Sequence, residues 1–370
     1  MKLALVSPLP PAPSGVADFS ARLAEGLRRY AEVDAFADPS GVDLAGYDRR
    51  LYQVGNNPLH GPAYDAALRA PGAVELHDAV LHHFLLGRLD EAAYVEEVVA
   101  NLGEWFRHKA HALWARRAQS GGDEEFFRYP LLGRIAAAAE RIIVHNPAAA
   151  RLAQTALAGA PTPVFEIPHF VDPAPAAPAD RLAALRRGLG AEGSTLLLGC
   201  FGYQRPTKRL RSVIAAARRL PSPWKLLVAG SFVSADYQAS IEPWLSDPRV
   251  VQMGRLSAQE LAEYAAAVDV CVNLRWPAAG ETSGIAMRLL AAGRCVVVTD
   301  SQEWASFPEG ALVRIDAGPA EEDMLAAQLE LLARRPELRR AIAAAGQTHV
   351  LQRHHFDRVL ELYRQALVLS

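Results

Sequence analysis

The sequence predicts an α/β protein built from two doubly wound parallel sheets. Three observations carry that reading. The chain has 370 residues, which accommodates two domains of roughly 100–200 residues each. Short apolar runs alternate with longer segments of helical spacing, and the alternation occurs twice. Between the two series, residues 173–180 read P-A-P-A-A-P-A-D, an extended stretch that cannot build a core. The domains are therefore expected at 1–172 and 181–350, with 173–180 as a linker. Residues 351–370 are expected to form a C-terminal helix that packs back toward the first domain. A surface loop inside one large domain is the alternative reading of 173–180.

In the first series, the strand candidates are Leu3–Val6, Val33–Phe36, Leu51–Val54, Ala73–Leu76, Arg141–Val144 and Val164–Ile167. Asp18–Tyr30 carries Phe19, Leu23 and Leu27 at helical spacing. Asp90–Ala118 reads as one long helix. The second series offers strands Thr195–Phe201, Lys225–Val228, Val250–Val251, Val268–Leu274, Cys295–Thr299 and Ala311–Ile315. Helices are expected at Leu210–Leu220, Ala258–Ala267, Thr282–Ala292, Glu321–Leu332 and His354–Leu367. In such sheets ligands bind outside the carboxyl ends of the strands.

Composition removes several classes. With 51% hydrophobic and 22% charged residues, the chain is neither disordered nor fibrous. A net charge of −2 argues against nonspecific duplex nucleic-acid binding, which needs a basic excess. Cys200, Cys271 and Cys295 each lie in or beside an apolar run, with no C-x-x-C pair, so buried free thiols are expected rather than a zinc site. The apolar stretch at the N-terminus is too short for a signal-peptide core, and no run approaches the ~20 residues of a membrane span. A cytoplasmic protein is expected. Leu102–Arg117 sets Leu102, Trp105, Phe106, Leu113 and Trp114 against Arg107, His108, Lys109, His111, Arg116 and Arg117. Such a helix can lie on the inner face of an anionic membrane; a core-facing helix with a solvated basic face is the plainer reading. His82, His83 and His111 have no acids at ligand spacing and read as structural or acceptor-pocket histidines, so no metal site is expected.

Three loops carry chemistry. Ser7–Asp18 joins the first strand to the first helix, and Ser14-Gly15 permits close backbone approach to a ligand or serves as a plain βα turn. It is not G-x-G-x-x-G, which disfavours a nicotinamide dehydrogenase. Gly202–Leu210, G-Y-Q-R-P-T-K-R-L, places Arg205, Lys208 and Arg209 after a strand, where a diphosphate would meet charge-assisted hydrogen bonds; a solvated charge run is the alternative. Pro277–Gly293 contains Glu281, Thr282, Ser283 and Gly284 at a helix start. Thr282 or Ser283 can cap that helix, whose free amides favour phosphate. Glu281 would repel a phosphate but accept hydrogen bonds from sugar hydroxyls.

On these segments the chain resembles family-4 glycosyltransferases of the GT-B fold. The Ser14-Gly15 loop, L-H-D at Leu76–Asp78, I-P-H-F-V-D at Ile167–Asp172 and F-G-Y-Q-R-P-T-K-R at Phe201–Arg209 agree in order. V-V-Q-M-G-R-L-S-A-Q-E-L-A-E-Y at Val250–Tyr264 and the E-T-S-G segment followed by R-C-V-V-V-T-D complete the series. The resemblance implies two Rossmann-like domains facing across a cleft. It implies a donor site of Gly15, Arg205, Lys208, Gly254, Arg255, Leu256, Glu281, Thr282, Ser283 and Gly284. His77, Lys208 and Glu281 would carry catalysis, with Asp18 and Asp78 toward the acceptor.

Three positions depart from the family pattern. Leu289 replaces the second acid of the E-x7-E signature, Tyr203 the arginine of the phosphate loop, and His169 the asparagine after I-P. Arg205 is the expected substitute for that arginine. No Asp-x-Asp occurs, so fixed cations and a helix N-terminus, rather than a metal, are expected to offset charge on the leaving diphosphate. The expected activity is sugar transfer from a nucleotide-sugar co-substrate to a carbohydrate, lipid-linked or small-molecule hydroxyl, without a cofactor. The resemblance implies retention by same-face attack. The rival readings are a nucleotide-sugar epimerase, a phosphorylase, and a catalytically silent binding module.

Overall fold

The computed structural model describes residues 1–172 and 177–369, so the expected linker lies partly outside the described residues. The chain forms two compact units. The first comprises Met1–His169, Pro277–Thr282 and Phe356–Ser370; the second comprises Phe170–Trp276 and Ser283–His355.

The first unit holds a six-stranded sheet. Its strands are β1 (Lys2–Val6), β2 (Glu32–Phe36), β3 (Arg49–Val54), β4 (Ala73–Leu76), β5 (Arg141–Val144) and β6 (Val164–Glu166). All pairs are parallel, in the order β2-β1-β3-β4-β5-β6. The inner strands β1, β3, β4 and β5 are largely buried, whereas the edge strands β2 and β6 are partly exposed. Leu76 lies in register with Val54 and Val144, so the next residues, His77 and His145, emerge side by side at the carboxyl edge.

The second unit repeats the architecture with β7 (Leu196–Phe201), β8 (Trp224–Ala229), β9 (Val250–Met253), β10 (Val270–Asn273), β11 (Cys295–Thr299) and β12 (Val313–Ile315). The order β12-β11-β10-β7-β8-β9 makes β7 and β10 central neighbours. Chain order reverses there, and the crevice at such a reversal is where ligands bind. Every strand expected from the sequence is present, with ends shifted by a residue or two. Cys200, Cys271 and Cys295 are free and buried, and burial pushes the Cys200 thiol up to about 12.

The helices needed more correction. The first runs Gly15–Leu27, earlier than expected, because Ser14 Oγ accepts from the Val16 N–H and so fixes the start. Its buried face carries Phe19, Leu23 and Leu27, each worth about 1.5–3 kcal/mol on full burial. Asp90–Ala118 is not one helix. It divides into Glu91–Leu102, a short turn at Glu104–Phe106, and Arg107–Ala115. Gly103 ends the first piece at φ +95, a conformation glycine adopts without side-chain strain. Gly61–Arg69, Pro147–Leu157, Ala179–Gly188, Ala235–Leu245 and Pro336–Arg353 are helices that the apolar spacing did not reveal.

The C-terminal helix Phe356–Ala366 belongs to the first unit. Phe356 sits so near Gly26 that a Cβ there would lie 2.6 Å from its ring. Arg22 stacks over the same ring at 3.6 Å. Arg49 and Arg141 donate to the carbonyls of Leu367 and Ala366, completing the helix end. No helix among the described residues is long and apolar enough to cross a membrane.

Candidate functional site

In the second unit, cationic side chains gather where β7 and β10 end. Gly202 turns the chain at φ +84, just after β7. A Cβ there would lie 3.3 Å from Lys208 Nζ and 3.1 Å from Ile285 Cγ1, so the loop needs glycine on two counts. Lys208 is buried, and its Nζ donates to the Phe201 carbonyl. Burial first, then repulsion from Arg275 and Arg205, brings its pKa down to about 7. An anion placed here would restore the charged lysine. Arg209 does not join this cluster: its Nε donates to both oxygens of the buried Glu321, at 2.9 and 3.1 Å.

The helix expected from Thr282 begins at Gly284 and ends at Ala291. Ser283 is the cap, its Oγ accepting from the Ala286 N–H at 3.3 Å. Thr282 lies outside because its side chain is held elsewhere. Asn273 Nδ2 and Arg275 Nη2 also donate to Ser283 Oγ, at 3.2 and 3.3 Å. The second unit thus assembles Arg205, Lys208, Arg275, Ser283 and Gly284 around one helix start, a set of donors suited to phosphate oxygens. Sequence reasoning missed Arg275. Its signal was its place two residues after β10, the strand beside β7.

Pro277–Thr282 groups with the first unit. The Ala79 and Val80 N–H groups both donate to the Ala279 carbonyl, at 2.8 and 3.0 Å. Asn146 Nδ2 donates to the Gly280 carbonyl and to Thr282 Oγ1, each at 3.0 Å. Glu281 is almost fully buried, and its Oε2 accepts from the Ala279 N–H at 2.6 Å. Thr282 and Ser283, expected as interchangeable caps, have different partners: Thr282 Oγ1 accepts from Asn146, and Ser283 Oγ caps the helix.

Behind this segment lies a buried polar network on the first sheet. Gln53 Nε2 donates to Glu75 Oε2 at 3.0 Å, and Tyr363 Oη donates to Glu75 Oε1 at 2.7 Å. His77 Nε2 lies 3.2 Å from Gln53 Oε1 and 3.6 Å from Glu75 Oε1. His145 Nδ1 donates to the Ile167 carbonyl, and its Nε2 lies 3.2 Å from Glu75 Oε1. Burial, followed by the neighbouring His145, His60 and His169 rings, holds His77 well below the usual imidazole range. The neutral ring can donate or accept a hydrogen bond at a sugar hydroxyl.

The remaining expected residues are dispersed. Gly15 is the exposed first residue of its helix, with open space where a Cβ would be. Asp18 is exposed one turn later. Asp78 Oδ2 accepts from the Asn56 N–H at 2.7 Å, tying the loop after β3 to the L-H-D segment. Gly254 and Arg255 are exposed, while Leu256 packs against the apolar core. Leu289 is 2% exposed and belongs to that core.

The histidines outside the network have local partners. His82 meets the Tyr129 carbonyl and Tyr94 Oη, His83 meets Ser120 O and Asn56, and His111 pairs with Glu91. Along 102–117, Leu113 is core and Trp114 packs on Tyr94. Arg107 pairs with Glu96 and Glu104, and both Lys109 and Arg116 pair with Glu125. The basic face is thus largely neutralised by acids, leaving Trp105 at 81% exposure as its most prominent group.

Residues 205–365 match the family model described as glycosyl transferase-like. None of the curated proteins matches the sequence. Over its whole length the chain is similar in structure to Anabaena Alr3699/HepE in complex with UDP and glucose, with TM-score 0.72, 16% identity, and coverage of 100% of this chain and 99% of that chain. Sucrose-phosphate synthase from Thermosynechococcus elongatus gives TM-score 0.69 at 17% identity, covering 100% of both chains. WaaG, a glycosyltransferase involved in lipopolysaccharide biosynthesis, gives 0.66 at 14% identity, again covering 100% of both. At these identities the likeness establishes the fold, which is GT-B.

Proposed function

We propose that this chain is a retaining, metal-independent glycosyltransferase that takes its sugar from a nucleotide-sugar donor. The observation that carries the reading is the meeting of Lys208, Arg205 and Arg275 at the capped start of Gly284–Ala291. Glycosyl transfer expels a nucleoside diphosphate, so negative charge grows on the leaving group. Fixed cations and helix amides are preorganised to stabilise that charge without a solvent-like rearrangement. The cradle is cationic rather than carboxylate-rich, so it suits the diphosphate itself and not a metal bridging to it. The matched family and the HepE structures, solved with UDP and with UDP-glucose, support a donor of this class.

In this reading Lys208 and Arg275 hold the diphosphate, and Ser283 and Gly284 lend the helix start. Glu281 faces sugar hydroxyls with whatever acceptor capacity the Ala279 N–H leaves. His77 contacts the transferred sugar as a neutral ring. The acceptor is a carbohydrate or lipid-linked hydroxyl bound by the first unit. The buried Leu289 favours a second reading, a module that binds nucleotide sugar without turnover, because the second acid of the E-x7-E signature is replaced by core.

The test is thermal unfolding with UDP, GDP, ADP and dTDP, each with and without EDTA, followed by transfer from the matching nucleotide sugar. A ligand of the folded state adds RT ln(1 + [L]/Kd), about 2.7 kcal/mol at a hundredfold excess. Stabilisation by one nucleotide regardless of EDTA, with turnover and retained anomeric configuration, is expected. Stabilisation without turnover selects the silent module; no stabilisation at millimolar nucleotide removes the nucleotide-sugar reading.

A further inference from the structure

The polar network of the first unit brings together three metal-ligating groups, one of them, His145 Nε2, without a hydrogen-bond partner among the described residues. Glu75 on β4, His77 just after β4 and His145 just after β5 are all buried, and one ligand atom from each lies within 4.8 Å of the others. His145 Nδ1 donates to the Ile167 carbonyl at 2.9 Å, because a carbonyl can only accept. In the neutral ring this leaves Nε2 as a lone pair, with no hydrogen-bond partner, facing Glu75 Oε1 at 3.2 Å. Two acceptors face each other, and a cation between them resolves the conflict. His77 Nε2 stands 3.6 Å from the same oxygen, too far for a hydrogen bond. In the free chain His77 Nε2 donates to Gln53 Oε1 at 3.2 Å, so taking up a metal would shift that hydrogen to Nδ1 and free the Nε2 lone pair.

Both spacings fit a metal. Bonds of about 2.0–2.1 Å in a tetrahedral site put neighbouring ligand atoms roughly 3.3–3.5 Å apart. The observed 3.2 and 3.6 Å bracket that edge. The surroundings also have the form of an outer shell: a ligating imidazole usually passes its other N–H to a carbonyl, and a ligating carboxylate is itself hydrogen-bonded. Ile167 does the first for His145; Gln53 and Tyr363 do the second for Glu75.

We propose that Glu75, His77 through Nε2, and His145 bind a divalent transition-metal ion of the zinc class inside the first unit, at a site separate in chemistry from the diphosphate cradle of the second; a sugar contact by His77 would then fall to its other ring nitrogen. Two imidazoles and one carboxylate suit zinc, whereas magnesium and calcium prefer all-oxygen sets. The ion would tie together β4, β5 and, through Tyr363, the C-terminal helix.

The experiment titrates the chelator-treated full chain with Co²⁺, a visible-absorbing stand-in for zinc. The expected result is a d–d band that saturates stoichiometrically with the chain, disappears on adding Zn²⁺, and is lost in His145→Gln and in Glu75→Gln. His82→Gln should keep it. Circular dichroism and nucleotide-induced stabilisation on the same preparations show whether the fold and the donor cradle are intact, so the two proposals fail separately. A folded wild type with no band overturns the site and assigns the Glu75–His145 contact to a shared proton. A band that survives His145→Gln in a folded variant also overturns it.

Discussion

The carboxyl edge of the first sheet and that of the second are built on the same parallel topology and hold opposite chemistry. On the first, His77 and His145 lean on Glu75, which also accepts from Gln53 and Tyr363. On the second, Lys208, Arg205 and Arg275 crowd a helix start, and their mutual repulsion adds to burial in depressing the lysine. The sheet fixes where side chains emerge, and the loops decide their sign. An edge with a carboxylate at its centre is matched to cations and neutral hydroxyls. An edge of cations is matched to an anion and bears a cost until one arrives.

That contrast can be broken first at Leu289, where the largest change is expected. Leu289→Glu places a carboxylate in the apolar cluster that holds Val296, Trp304 and Phe307. The expected loss is about 3–5 kcal/mol of stability, the scale for an uncompensated buried charge, read by urea unfolding. An equally stable variant with tighter UDP binding would show instead that this position faces ligand.

Lys208→Met comes next. It keeps most of the side-chain volume and removes the charge, so turnover should fall about 10²–10³-fold, the scale of losing one preorganised donor at a developing charge. The free chain should become no less stable, because the buried ammonium is itself a burden there. Loss of stability with unchanged UDP affinity would reduce Lys208 to a structural role. Arg275→Ala should weaken UDP by about 10–100-fold, from the ~1.5–3 kcal/mol of a charged hydrogen bond, measured by calorimetry. An unchanged Kd would return the missing family arginine to Arg205.

The strands were legible because a parallel strand covered on both faces shows as an apolar run, as in L-L-L-G-C-F of β7 and C-V-V-V-T of β11. The cation loop and the capped E-T-S-G start were legible because each is a local signal beside a strand end. Arg275 was not, since its closeness to Lys208 depends on β10 pairing with β7, across many intervening residues. Glu75 was hidden inside the run A-V-E-L, and its partners come from β3, β5 and the far C-terminus. Asp90–Ala118 carries apolar residues on both sides of Gly103, and only the positive φ there shows that the helix ends. What is set by pairing of distant segments cannot be read from spacing within one.

The smallest effect expected is also the most specific, a proton taken up on donor binding. In the free chain Lys208 titrates at about 7. A bound diphosphate favours its charged form and raises that value. Below the free value the lysine is already charged and binding moves no proton. Above it, binding must first protonate the lysine, so affinity falls as pH rises through about 7, by at most about tenfold per unit. A nucleotide sugar is the right probe, since its diphosphate has no ionisation of its own near neutrality. Calorimetry at pH 8 in two buffers of different ionisation enthalpy should register fractional proton uptake. Lys208→Arg, charged throughout this range, should bind with no uptake and a flat pH profile. Equal uptake in Lys208→Arg would locate the titrating group elsewhere, and absence of uptake in the wild type would mean that the second edge carries its full positive charge before any donor arrives.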